Sequence, residues 1–448
     1  MHSRRMDPRL LAHAERQAPR YTSYPTAPHF AASVDGAVHA GWLRQLDADA
    51  PIGFYLHVPY CRELCWYCGC NTYAARREEP LADYVQTLLR EIDLVGEQIA
   101  THRVVDIHWG GGTPNILSPE QFTRICHHLA FWFDIAPQAR HSIEIDPRHL
   151  TPALAAAYRE AGVTRASIGA QDFNPHVQRA MGRIQPAELV QGAMTMLREA
   201  GIAQINIDLM YGLPAQSSDD VLRSVQTATA MRPSRVALFG YAHVPWFKKR
   251  QRLIDETQLA NAAERLEHAE IARLELARLG YVAIGLDHFA LPDDELTVAA
   301  RNDTLRRSFQ GYDTSTTAAT IGLGPSAIST LPQGYAQNAS EVGAWSRVVA
   351  DERLPIARGH ALDDEDRRRG ALIEQIMCDF TGDLGPLGGA SACVRELATL
   401  APMTRDGLVV VSGDIITLPA HARPLCRIVA QAFDSYAEKG AARHSAAV

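Results

Sequence analysis

Between residues 53 and 241 the chain alternates short apolar runs with longer amphipathic stretches. The runs Phe54–Val58, Val104–Trp109, Ser142–Ile145, Arg165–Ile168, Gln204–Met210 and Arg235–Tyr241 read as strands. Between them, Pro80–Ile99, Pro119–Trp132, Pro152–Glu160, Pro186–Glu199 and Ser218–Met231 carry helical spacing, and Ser118-Pro119 and Thr151-Pro152 are helix start signals. Six such units in series predict a parallel sheet covered by helices. Polar residues recur within the strands, as at Ser142 and Glu144, then Asn206 and Asp208. Buried under a helix they would be costly, whereas they suit the lumen of an open or partial (β/α)6 barrel. Barrels of this kind place their sites at the C-terminal strand ends.

The flanks read differently. Residues 1–50 form an irregular arm, with Pro25 opposing helix in Arg20–Thr26 and a short helix from about His39 to Asp47. After Tyr241 a long amphipathic helix is expected over Asp255–Leu279, then a strand over Tyr281–Ile284. Residues 330–360 read as a connector. From Asp363 a helical unit begins; its runs Gly407–Val411 and Ile415–Leu418 flank Ser412-Gly413-Asp414, a hairpin signal. The expected division is an arm at 1–50 contributing to the substrate pocket, the barrel with its extension at 51–360, and a helical C-terminal domain with a small hairpin at 361–448.

Composition narrows the function classes. Of 448 residues, 46% are hydrophobic and 21% charged, which excludes a disordered or fibrous chain. The net charge of -7 offers no general basic field for nucleic acid. No apolar run approaches the roughly 20 residues of a membrane span, and the polar, Arg-rich stretch Met1–Arg20 does not resemble a secretory signal. A cytoplasmic monomer is the expectation.

Of eight cysteines, four lie close together in Cys61-Arg-Glu-Leu-Cys65-Trp-Tyr-Cys68-Gly-Cys70. Clustered thiols in a large chain of this type point to metal or redox chemistry rather than a disulfide framework. The C-x3-C-x2-C spacing of Cys61, Cys65 and Cys68 suits three irons of a 4Fe–4S cluster, leaving the fourth iron open to another ligand. Structural zinc is the plainer alternative, but it usually takes two separated ligand pairs, and no second pair stands nearby. Cys126, Cys378, Cys393 and Cys426 read as packing residues. Gly110-Gly111-Gly112-Thr113 permits a close backbone approach, yet lacks the Lys-Ser/Thr of a phosphate loop.

The cysteine spacing after the first barrel strand resembles the radical S-adenosylmethionine (SAM) superfamily. Several segments narrow the resemblance: Arg20–Thr26, Phe54–Cys61, Trp109–Pro114, Ile143–Arg148, Gly169–Asn174, Asn206–Pro214, Tyr241–Pro245, Asp287–Ala290, Phe309–Tyr312 and Gly322–Ser329. Together they resemble the oxygen-independent coproporphyrinogen III oxidases. The resemblance implies an α/β, TIM-like partial barrel of the radical SAM type, a 4Fe–4S cluster on Cys61, Cys65 and Cys68, and two SAM molecules. It places Tyr55, Gly111, Glu144 and Ile328 at the first SAM, and Tyr67, Gly112, Thr113, Gln171, Arg183, Asp208 and Ala242 at the second. Arg183 and Asp208 suit the opposite charges of a zwitterion. The substrate implied is coproporphyrinogen III, with an electron donor and an electron acceptor as further partners. The cluster and the SAM-derived radical carry the chemistry, so no protein acid or base is assigned.

Arg20 and Tyr24 are candidate substrate contacts, because a tetrapyrrole with four propionates needs cations and hydroxyls; Cys70, only two residues after Cys68, reads as outside the cluster ligands and is a third candidate. The arm Arg20–Thr26 could equally be a clasp onto the barrel, and Lys248-Lys249-Arg250 reads as a solvated patch. Pro424 interrupts a helical segment where the family tends to be regular. A haem-binding chaperone on the same barrel, without decarboxylase activity, is the second reading; Cys70 and Arg20–Thr26 argue against it.

Overall fold

The computed structural model describes residues 7–99 and 102–437. The start of the Met1–Arg20 stretch and the end of the 361–448 unit lie outside them. One twelve-stranded sheet dominates. In chain order its strands are β1 (Ile52–Val58), β2 (Arg103–Gly111), β3 (Asp134–Ile145), β4 (Arg165–Gln171), β5 (Gln204–Tyr211), β6 (Arg235–Gly240), β7 (Val282–Ile284), β8 (His288–Ala290), β9 (Ala319–Leu323), β10 (Ile328–Leu331), β11 (Gly334–Asn338) and β12 (Ile356–Ala361). Strands β1 to β6 run side by side and parallel, as expected. A seventh parallel strand, β9, lies on the free side of β1, pairing Gly322 with Tyr55. Antiparallel strands extend both flanks, β8 and β7 beyond β6 and β10 to β12 beyond β9. Residues 330–360 are therefore not a connector. They complete β10, supply β11 and β12, and hold the helix Val342–Ala350.

The helices begin where the start signals lie. Ser118 and Gln121 close a capping box on Pro119–Trp132, and Thr151 caps Pro152–Glu160 through the Leu154 amide. The expected helix over Asp255–Leu279 starts later, at Ala262, and ends at Arg278. Asn261 accepts from the amides of Ala263 and Glu264, so its side chain stops the helix from extending backwards. Residues Glu256–Gln258 form a separate 3-10 turn capped by Asp255. Helix faces and the outer face of the sheet share one large apolar core that includes Trp109, Phe122, Tyr84 and Trp345.

A second core joins the chain's two ends. Leu10, Ala14, Tyr21 and Tyr24 of the arm pack with Leu372, Met377, Leu425 and Phe433 of the C-terminal region. That region contains the helices Asp364–Asp379, Val394–Arg405 and Cys426–Gln431. Its strands Val410–Ser412 and Ile415–Thr417 form the hairpin, with Thr381–Asp383 as a third strand. Pro424 lies within the 3-10 segment Ala420–Leu425, ahead of the last α-helix, where its missing N–H costs little. Among the described residues no helix is long and apolar enough to cross a membrane.

The sheet's concave face lines a lumen. Arg140, Arg165 and Arg235, toward the N-terminal ends of β3, β4 and β6, form its floor with Asp106, Asp294, Glu295 and Asp313. Arg140 meets Asp313 at 2.6 Å and also pairs with Asp106; Arg235 meets Asp294 at 2.7 Å and Glu295 at 3.0 Å. Ion pairs thus tie neighbouring strands together at one end and leave the C-terminal ends to the site.

Candidate active site

The cysteine loop leaves β1 at that C-terminal end. Tyr60–Cys61 pairs with Tyr73–Ala74 and closes the loop's base. The Cys61 sulfur receives Oγ1 of Thr113 at 3.1 Å and lies 3.2 Å from Oγ1 of Thr72. The Cys65 sulfur is buried and lies 3.5 Å from Nη1 of Arg183 and 4.0 Å from Nη2 of Arg148. The Cys68 sulfur accepts from the Cys70 amide at 3.4 Å, and hydrogen bonding from Cys70 holds that thiol down to about 6. Hydroxyls therefore face Cys61, two guanidiniums Cys65 and an amide Cys68, although burial pushes the Cys61 thiol up. Among the described residues no group of three or more Cys, His, Asp or Glu side chains could hold a single metal ion. A cluster instead spreads its thiolates over separate irons, and three thiols on one loop facing donors fit that demand.

Gly110–Thr113 passes directly beside this loop. The Gly112 amide donates to Val58 O at 2.7 Å, and a Cβ on Gly112 would lie 2.6 Å from both Tyr60 O and Thr72 Oγ1. Gly111 has φ +109, and a Cβ there would meet the His57 ring at 2.7 Å. The glycines are thus required by the closeness of two loops.

Glu144, near the end of β3, receives the Gly111 amide at 3.3 Å and lies 3.4 Å from His108 Nε2. Tyr55 OH lies 3.1 Å from His57 Nδ1, and its ring stacks on His108 with centroids 5.8 Å apart. Ile328 lies against Gly322, the register partner of Tyr55, so Tyr55, Gly111, Glu144 and Ile328 come together around the ends of β1 and its neighbours. Asp208 shares the lumen with Glu144. It accepts from Ser167 Oγ at 2.9 Å and from Asn206 Nδ2 at 2.7 Å, and burial, reinforced by Glu144, pushes its carboxyl up to about 6.

Arg183 is buried and already engaged. It donates to Gly169 O at 2.8 Å and Gln185 Oε1 at 2.9 Å, and pairs with Asp146 at 3.3 Å. These partners aim the guanidinium at Cys65. Gln171 sits at the end of β4 with φ +69, a left-handed conformation uncommon outside glycine. Tyr67 packs beside Val177, Met181, Leu213 and Tyr241. Ala242 follows the end of β6.

Sequence reasoning missed the residue that binds these last two together. Gln251 is 1% exposed. Its Nε2 donates to Tyr67 O at 2.8 Å and Ala242 O at 3.1 Å, while its Oε1 accepts from the Val244 amide at 2.6 Å. It follows directly on Lys248-Lys249-Arg250, a run that is not simply solvated. Lys248 is half-buried, and its Nζ donates to Cys70 O at 3.2 Å. Asp146, within a recognised segment but given no role, is likewise the carboxylate orienting Arg148 and Arg183.

The substrate candidates part company. Arg20 is exposed, donates to Gly240 O at 3.1 Å and lines a second cavity beside β6. Tyr24 does not line that cavity or the lumen. It is 4% exposed, and its hydroxyl meets Ser435 Oγ at 3.0 Å, so it acts as a clasp between arm and C-terminal region. Cys70 is at the exposed end of the cysteine loop.

Residues 55–228 match the model of the radical SAM superfamily. An oxygen-independent coproporphyrinogen III oxidase of Bradyrhizobium diazoefficiens is 46% identical over 98% of this chain and 99% of its own length. One from Paracoccus denitrificans is 42% identical over 96% and 97%. The solved Escherichia coli coproporphyrinogen III oxidase (HemN), described as a radical SAM enzyme, superimposes with a TM-score of 0.90 at 34% identity, covering 96% of this chain and 99% of that one. Likeness of this extent, in sequence and in fold, makes the chain a member of the oxygen-independent coproporphyrinogen III oxidase family of the radical SAM superfamily.

Proposed function

We infer that the chain converts coproporphyrinogen III to protoporphyrinogen IX without oxygen, in haem synthesis. Two propionate arms each lose a β-hydrogen, carbon dioxide and one electron, leaving vinyl groups. An electron donor and an electron acceptor complete the balance. The observation that carries the reading is a convergence at the C-terminal strand ends: the three-cysteine loop, Gly110–Thr113, Glu144 and Asp208 meet at the open end of one lumen.

Cys61, Cys65 and Cys68 would hold a 4Fe–4S cluster, which with SAM bound would supply one-electron reductive cleavage of SAM. The chain's own residues position and protect. Thr113, Thr72 and Arg183 face the sulfurs with donors. Glu144, fixed by the Gly111 amide, presents its carboxylate to ribose hydroxyls, beside Tyr55 and Ile328. Asp208 offers a carboxylate to an ammonium, and Gly112, Thr113, Tyr67, Gln171, Arg183 and Ala242 complete the second SAM site. The rings of Tyr55 and Tyr67 would exclude water from the reacting end.

The test is anaerobic. Reconstituted protein receives SAM, a reductant, an electron acceptor and coproporphyrinogen III, and products are read by mass. Protoporphyrin, after oxidation, together with 5′-deoxyadenosine is the expected result. Deoxyadenosine without decarboxylated tetrapyrrole overturns the substrate assignment.

A further inference from the structure

The lumen pocket has a volume of about 200 Å³. That is below the roughly 300 Å³ at which pockets begin to enclose drug-sized ligands, and a four-ring macrocycle is larger still. Its floor cations are already paired with carboxylates, Arg140, Arg165 and Arg235 alike, although Nε and Nη1 of Arg165 make no hydrogen bond among the described residues. Carboxylate arms of a tetrapyrrole need cations elsewhere.

A second cavity of about 480 Å³ lies where β6, the arm and the C-terminal segment meet. Phe239 lines both spaces. So does a bonded pair split across the wall: Asp287 faces the second cavity, His288 faces the lumen, and they meet at 2.7 Å. Leu238, Leu286 and Phe289 give the second cavity apolar walls. Cations outnumber carboxylates in its lining: Arg20, Arg265, Arg273, Arg307, Arg423 and Arg427 stand against Asp7, Glu270 and Asp287.

Arg307 is the clearest case. Its guanidinium lies 4.5 Å from the centre of the Tyr312 ring, and Nη2 donates to Arg20 O at 3.3 Å. Its Nε and Nη1 are buried and have no hydrogen-bond partner among the described residues. Buried donors left in this state are costly, and a carboxylate oxygen that reached either one would supply a charge-assisted hydrogen bond. Burial first, and then Arg20, holds Arg427 down to about 10, as crowding among like charges should. The site also depends on closure of the chain's ends, since Arg427 Nε donates to Pro19 O at 2.9 Å beside Arg20.

We propose that this second cavity is a carboxylate site that holds the propionate arms of the tetrapyrrole that are not reacting, while a reacting arm enters the lumen past Phe239. The proposal rests on the oxidase reading for its substrate. It makes Arg20 and Arg307 determinants of affinity for four-carboxylate tetrapyrroles.

The test measures equilibrium binding of coproporphyrin III, and of its tetramethyl ester, to the reconstituted holoenzyme by fluorescence anisotropy. Cluster absorbance serves as the control for folding. Arg307→Gln should weaken coproporphyrin III binding about tenfold or more, the scale of one lost charge-assisted contact. Arg307→Lys should recover part of it, Arg20→Gln should show the same loss, and the ester should bind wild type and variants alike. Arg20 is exposed, so its variant remains informative if Arg307→Gln does not fold. Binding within twofold of wild type in both glutamine variants, or an equal loss for the ester, overturns the proposal. Arg-dependent binding by a wild-type enzyme that forms no decarboxylated product upholds the carboxylate site and overturns the oxidase reading instead.

Discussion

Replacing Gln251 with leucine tests the idea that one buried amide couples the cysteine loop to the loop after β6. The side chain is similar in size, so the change removes polarity with little loss of volume. It strands Tyr67 O and Ala242 O, which now accept 2.8 and 3.1 Å bonds, and the Val244 amide, which now donates over 2.6 Å. Each group left unsatisfied costs about 1–3 kcal/mol. The partners are only partly buried, so the low end applies, and three groups sum to about 3 kcal/mol. At 1.4 kcal/mol per tenfold, local opening of the loop should become about a hundredfold more frequent. Hydrogen exchange on the apo protein reads this directly, as faster exchange in peptides covering residues 61–70 and 242–251. On the holoenzyme, the rate of iron loss to a chelator should rise by a similar factor. Wild-type exchange and wild-type iron retention in Gln251→Leu would refute the coupling.

Alanine at Cys61, Cys65 or Cys68 should abolish iron content and SAM cleavage together; full iron with intact cleavage in any one removes that residue from the ligand set. Asp208 titrates near 6, so SAM binding at the second site should weaken as pH falls through about 6, while Asp208→Asn should bind weakly with no such dependence; isothermal titration from about pH 5 to about pH 8 decides it. The sign for stability is opposite: the folded state takes up this proton before the unfolded chain does, so the contribution favours folding at low pH and is lost as pH rises through about 6. Arg140→Met should cost about 2–3 kcal/mol in urea unfolding, because it leaves Asp106 and Asp313 facing each other without a cation; an unchanged midpoint removes the lumen floor from the account of stability.

The parallel half of the fold was legible because its signals are local. Barrel strands are short runs followed by amphipathic helices, several with their own start signal, as at Ser118-Pro119 and Thr151-Pro152. Of the antiparallel flanks only β7 was, through the apolar run Tyr281–Ile284. Strands β8 and β10 are three and four residues long, too short for alternation to separate them from loop. Residues 330–360 read as a connector because β12, Ile356–Ala361, contains Arg358, Gly359 and His360, the composition of an edge strand rather than a core one. The later start of the helix at Ala262 was written in Asn261 and Glu264, a capping pair overlooked amid a long amphipathic pattern.

The site divides along the same line. Cysteine spacing and the glycine run announce themselves because they belong to single loops whose chemistry few residue types can perform. Gln251, Asp146 and Lys248 act through partners distant in sequence, and nothing at the positions themselves marks them. The Lys248-Lys249-Arg250 run shows why. A charge cluster on a loop is ordinarily solvated, yet here Lys248 reaches Cys70 O and the next residue but two, Gln251, is fully enclosed. What converts the run from surface to site is the return of the chain after β6 across the mouth of the lumen, a consequence of topology. Arg307 follows the same logic. Its sequence neighbours, Arg306 and Ser308, give it the look of a surface strand, and only the arrival of Arg20 from the arm and Arg427 from the C-terminal segment turns it into part of a charged cavity. Binding determinants assembled from both ends of the chain should therefore respond together: a change that loosens the arm, such as Tyr24→Phe at the Ser435 contact, should weaken tetrapyrrole binding while leaving the cysteine loop and its iron intact.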